Sequence, residues 1–147
     1  MSRKGRRMTV ALLALPGVFV SLYLLLYRMG VYGQLACGAG GSCEVVQTSS
    51  WAVFLGIPVP GWGTAWYLAV LGVALTGLRP GALRARWPER ALAVLSAGGV
   101  AFTAYLTAIE AFVLHAFCRW CVVSALLVSG IAAVSALGWW REGDATD

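Results

Sequence analysis

The chain has 147 residues, of which 60% are hydrophobic and 12% charged, with a formal net charge of +5. A soluble domain carries about 25% charged residues, and one this short has no means of hiding so much apolar surface at a mean hydropathy of +0.79. The composition excludes a water-soluble enzyme and implies an integral membrane protein. The positive charge does not imply nucleic acid, because no basic face carries interleaved aromatics.

The N-terminal arm holds Arg3, Lys4, Arg6 and Arg7. The first apolar run follows at about 8–28, and a spanning helix needs roughly 20 such residues. Pro16 is able to kink it without excluding it. A basic arm before an apolar run also fits a signal peptide, and LAC at Leu35 to Cys37 hints at a cleavage site. The run is long for that purpose, and polar or small residues separate it from Cys37, so a retained helix is expected. An outer loop, 29–59, comes next. A second span is predicted at about 60–78 and a polar loop at 79–90, with Arg79, Arg84, Arg86 and Arg90. A third span, 91–117, is interrupted by Glu110, and a fourth covers 118–140. The expected fold is all-α: one membrane domain over 1–147, built as a four-transmembrane-helix bundle.

Lys and Arg mark the cytoplasmic side of a membrane protein. The arm, the 79–90 loop and Arg141 fall together, leaving only Arg28 and Arg119 opposite. Both termini are therefore expected in the cytoplasm. Trp139 and Trp140 suit an interfacial belt there.

This topology, argued from charge, places the four cysteines on the outer, oxidising face, where disulfides persist. Cys37 and Cys43 bracket CGAGGSC in the first outer loop. Cys118 and Cys121 form CRWC at the outer end of the fourth helix. An even count with paired spacing fits two dithiol/disulfide couples. In CRWC the second sulfur lies one helical turn from the first, so an exchangeable disulfide is able to close. A helix N-terminus, with Arg119 beside it, favours a thiolate. The glycines between Cys37 and Cys43 permit many backbone conformations, which suits a loop that carries a sulfur between partners. The spacing leaves other readings open: zinc bound by four thiolates, two inert structural disulfides, or CxxC as small buried hydrophobes. An outer-leaflet site is an unusual place for structural zinc, and no metal is expected.

Three blocks carry a family resemblance. The first is Cys37 with Cys43, followed by Ser49, Ser50 and Trp51. The second is Gly56-Ile57-Pro58 with Gly63. The third is YLTAIEAFVLHAFCRWC, from Tyr105 to Cys121. Together they resemble the bacterial homologues of vitamin K epoxide reductase, which are functionally akin to the disulfide-bond oxidase that works with quinone. The resemblance implies a bundle in the cell inner membrane around a quinone, menaquinone or ubiquinone, with an electron relay on the outer side. Cys37 would take electrons from a periplasmic thioredoxin-like protein, Cys43 would attack Cys118, and Cys121 would stand beside the quinone ring. Many relatives carry a fused thioredoxin-like domain after a further helix. This chain ends at Asp147, so that partner is expected in trans. Relatives often place Asn after Gly-Ile-Pro, where this chain has Val59. Epoxide-reducing animal enzymes carry Tyr one turn after CxxC, where this chain has Ala125. Both departures argue against epoxide reduction. That activity, and a non-catalytic membrane protein with structural disulfides, are the alternatives.

Further residues take their meaning from that expectation. VVQTSSWAVFLGI, 45–57, reads as a short amphipathic helix capping the quinone pocket, with Phe54 on its apolar face and Ser49 at the pocket. Trp62, Trp66 and Tyr67 are placed to stack on a quinone or to sit in an interfacial belt. His115, the only histidine, lies about one turn before CRWC and is placed either to serve a thiolate or quinone or to end a helix at the interface. Glu110 is a carboxylate deep in a span, where a functional role is the default. A structural hydrogen bond, for instance to Thr107 one turn back, is the other reading.

Overall fold

Helix α1 (Arg3–Arg28) begins inside the basic arm, not at the first apolar residue. The computed structural model describes residues 3–29, 53–114 and 119–146, and within it the arm is tied down by carbonyl groups. Arg7 is 0% exposed. It donates from Nη1 to the Gly77 and Ala82 carbonyls at 2.5 and 3.0 Å and from Nη2 to the Ala85 carbonyl at 3.0 Å. Its Nε lies 3.2 Å from Glu89 Oε1. Arg3 reaches the Arg84 carbonyl at 3.1 Å. Arginine is a good helix former, and these bonds replace the water its guanidinium would otherwise need.

Next comes a two-stranded antiparallel hairpin, β1 (Val53–Phe54) and β2 (Ile57–Pro58), with Val53 opposite Pro58 and Phe54 opposite Ile57. Leu55 and Gly56 form its turn, with φ of 52° and 81°. Two positive φ values are what a primed two-residue turn requires. This corrects the expected amphipathic helix over 45–57: from Val53 onward the segment is not helical. The reason is local, since Gly56 favours the left-handed turn and the prolines at 58 and 60 deny a helix its N–H donors. The earlier part of that segment lies outside the described residues.

Helix α2 (Val59–Gly77) has proline in its first turn, where the missing N–H has no intrahelical partner to lose. Helix α3 (Trp87–Ile109) begins earlier than the apolar run at 91, again with proline in its first turn, and with acidic Glu89 there facing the positive end of the helix dipole. It passes into a π-helical turn, Glu110–Leu114. Helix α4 (Arg119–Thr146) runs beyond Trp140.

The four helices form a ring in which α1 packs on α2 and α4, and α3 packs on the same two. All four are long and apolar enough to cross a membrane, and the chain is a multi-pass membrane protein. Lipid gives helices no hydrophobic reason to associate, so close backbone approach and polar bonds must supply it. Both are present. The Tyr67 ring occupies the space where a Cβ on Gly17 would stand, locking α1 to α2. Ser96 bonds Ser135 at 3.2 Å between α3 and α4. The inner core is correspondingly small, built around Val10, Ala14, Val70, Leu92 and Ile131. Large apolar side chains such as Leu12, Phe19, Val94 and Leu126 point outward.

One end of the bundle is closed by charge. Glu89, 2% exposed, accepts from Arg7 and lies 3.6 Å from Arg6. Both Glu89 and Arg6 pack where a Cβ on Gly138 would stand. This clasp joins the start of α1, the end of α2, the start of α3 and the later part of α4. The hairpin, the π turn and the start of α4 lie at the opposite end.

Candidate functional site

At the end away from the clasp the helices part around a cavity of about 450 Å³. Its wall is mostly apolar, which suits a small flat ligand held by a few polar groups. Of the nine residues singled out from sequence, Phe54, Trp62, Trp66 and Cys121 line this one space. Cys37, Cys43, Ser49, His115 and Cys118 lie outside the described residues.

The hairpin forms the mouth. Phe54 sits between the two neighbouring helices, its ring 6.1 Å from Trp62 on α2 and 5.7 Å from Phe102 on α3, both near edge-to-face. Trp62 Nε1 donates to the Phe54 carbonyl at 2.9 Å. Phe54 is thus fixed by a ring contact on each side and a backbone bond.

Trp66 defines the depth. Its indole fills the space where a Cβ on Gly99 would stand, and its Nε1 donates to the Leu95 carbonyl at 2.9 Å. The N–H groups of Trp62 and Trp66 are both bound to backbone carbonyls, so these residues offer a ligand ring surface and no donor. An aromatic ring packs on such a surface by offset stacking or edge contact.

The polar groups stand on two sides. On one, the Tyr67 hydroxyl on α2 meets Ser124 on α4, Oη to Oγ at 2.8 Å. Ser124 lies three residues after Cys121, so the two share a face of α4. Cys121 is half-buried and on the cavity wall. On the other side stand Thr103 and Thr107 from α3 and Glu110 from the π-helical turn that continues it. Their spacing, i, i+4 and i+7, is that of a single helix face.

Sequence reasoning offered Tyr67 as a stacking ring or a belt residue, and it assigned neither Ser124 nor Phe102 to the site. Ser124 had a signal, its position one turn after Cys121. Phe102 had none that separates a cavity wall from an ordinary helix face, and the bond from Tyr67 to Ser124 was announced by neither residue. Val59 and Ala125, where the family resemblance led to an expectation of Asn and Tyr, also line the cavity and leave it apolar there.

The volume, the flat aromatic walls and the paired hydroxyl and carboxyl groups fit a quinone ring. The family model for the vitamin K epoxide reductase family matches residues 8–136, nearly the whole chain. The chain belongs to that family, whose members are membrane oxidoreductases that use quinones.

Proposed function

We propose that this protein reoxidises a thioredoxin-like protein acting in trans and passes the electrons through two cysteine pairs to a quinone, so that disulfides form outside the cytoplasm. The observation that carries the reading is the placement of Cys121 on the wall of an aromatic cavity enclosed by all four helices.

The thiol steps balance as exchanges. The reduced partner gives two electrons to a Cys37–Cys43 disulfide and becomes oxidised itself. Cys43, as thiolate, attacks Cys118 of a Cys118–Cys121 disulfide, forming a transient Cys43–Cys118 bridge while Cys121 leaves as thiolate; Cys37 then attacks Cys43, restoring the Cys37–Cys43 disulfide and freeing Cys118. A quinone held beside Cys121 supplies a two-electron, two-proton acceptor. Trp66 and Phe102 hold the ring, Phe54 and Trp62 exclude water at the mouth, and the Tyr67–Ser124 pair presents a hydroxyl near the thiolate. On this reading the cysteine-bearing end faces outward, the charged clasp faces the cytoplasm, and the membrane is the inner membrane. The apolar wall at Val59 and Ala125 favours quinone over epoxide as acceptor.

The test is reduction of decylubiquinone or menadione by the purified protein, with a reduced thioredoxin-like protein as donor. Cys121→Ser is expected to abolish it. In Cys43→Ser the lone Cys37 thiolate is expected to attack the disulfide of the oxidised thioredoxin-like protein and to accumulate as a mixed disulfide with it. Full turnover by Cys121→Ser would refute the assignment.

A further inference from the structure

We propose that Glu110 is the proton donor of the cavity, its carboxyl holding the proton that passes to a carbonyl oxygen of the bound ring. This rests on the quinone reading above and assigns a residue that the relay of thiols leaves unused.

Glu110 is 6% exposed and stands on the cavity wall. It lies in a stretch long and apolar enough to cross a membrane. An ionisable residue so placed is a functional-site candidate by default. The backbone changes form at this residue, since the π-helical turn begins with it. Such turns interrupt helices frequently at functional sites. Thr103 and Thr107 continue the polar line on the same face, and all three residues border the cavity.

The balance of charge requires such a group. Oxidation of two thiols releases two electrons and two protons. Cys121 arrives as thiolate and brings no proton of its own. Among the described residues, the titratable groups on the cavity wall are Glu110 at the start of the π-helical turn, Tyr67 on α2 and Cys121 on α4. Helix α1 contributes Val20, Ser21 and Leu24, none of which titrates, and the hairpin contributes Phe54. Arg119, at the start of α4, is exposed and not on the wall. Tyr67 is committed to Ser124. Each proton that Glu110 gives up is replaced by one released when a thiol of the relay becomes a thiolate. Two thiols supply two protons, and no outside acid is consumed.

The experiment uses the full chain in detergent, with decylubiquinone as the probe. Infrared difference spectra are taken on adding decylubiquinone without a reductant. The wild type is expected to show a protonated-carboxyl C=O band that shifts, and Glu110→Gln is expected to lack it. Binding of decylubiquinone, followed by tryptophan quenching, should stay close to wild type in Glu110→Gln. Turnover with dithiothreitol should fall by about 100-fold or more, as loss of a general acid does, and Glu110→Asp should restore part of it. Should Glu110→Gln fail to fold, the wild-type band and the Glu110→Asp rate decide the matter. The proposal is overturned by a wild type with no responding carboxyl band, or by Glu110→Gln turning over as the wild type does. A wild type unable to reduce decylubiquinone at all, yet showing the band shift, would instead sink the proposed function.

Discussion

The Tyr67 hydroxyl, on α2, lies 2.8 Å from Ser124 Oγ and 3.1 Å from the Ser124 carbonyl oxygen on α4. Two hydroxyls own two protons, and the bond between them uses one. The other goes to the Ser124 carbonyl or to a ligand oxygen. The pair thus fastens two helices and sets a donor one turn from Cys121. Tyr67→Phe removes only the phenolic oxygen. It should lower stability by about 0.6 kcal/mol, the average for side-chain bonds between membrane helices, and weaken decylubiquinone binding. Thermal unfolding and a quenching titration measure the two effects; unchanged affinity would leave the pair a fastener alone.

Gly17→Ala should destabilise the bundle, because its Cβ would overlap the Tyr67 ring. Overpacking of this kind costs about 1–3 kcal/mol. Gly72→Ala is the control: its Cβ would meet nothing within 4 Å, and removing a glycine from a helix interior should stabilise by about 0.5–1 kcal/mol. Opposite shifts in melting temperature are expected from one and the same chemical change.

Glu89→Ala should be the most damaging single substitution at the clasp. It leaves Arg6 and Arg7 buried without their carboxylate, and breaking a buried pair in this way costs about 3–5 kcal/mol. The yield of detergent-folded protein should drop sharply. Glu89→Asp should recover part of it, and an unchanged yield for Glu89→Ala would mean the clasp is dispensable.

Phe54→Ala should loosen the mouth without touching the chemistry. Each aromatic pair contributes about 0.5–1.5 kcal/mol, and both contacts of Phe54 are lost together. KM for decylubiquinone should rise about tenfold while kcat holds, the signature of lost uniform binding. A fall in kcat instead would place Phe54 nearer to the reacting atoms.

Much of this architecture is legible in the chain because lipid imposes a simple rule: long uncharged runs become spans. The rule says little about where helices begin. Arg3–Arg7 and Trp87–Arg90 read as polar flanks, yet they are helical, because Arg7 finds three carbonyls and Glu89 finds two guanidiniums in parts of the chain far away in sequence. The hairpin was partly legible, since Gly56, Pro58 and Pro60 are poor company for a helix, but the apolar spacing of Val45, Val46, Phe54 and Leu55 suggested one. The cavity was legible where chemistry marks a residue, as at Cys121, Trp62 and Trp66. Tyr67 and Ser124, 57 positions apart, meet only through the ring order of the helices, which no local pattern encodes.

The indole N–H groups of Trp62 and Trp66 end on the carbonyls of Phe54 and Leu95. Substituents of a guest molecule that face these two indoles therefore meet ring surface and no donor. Selection by these walls is by thickness and bulk, so a benzoquinone and a naphthoquinone of equal breadth should compete on nearly even terms.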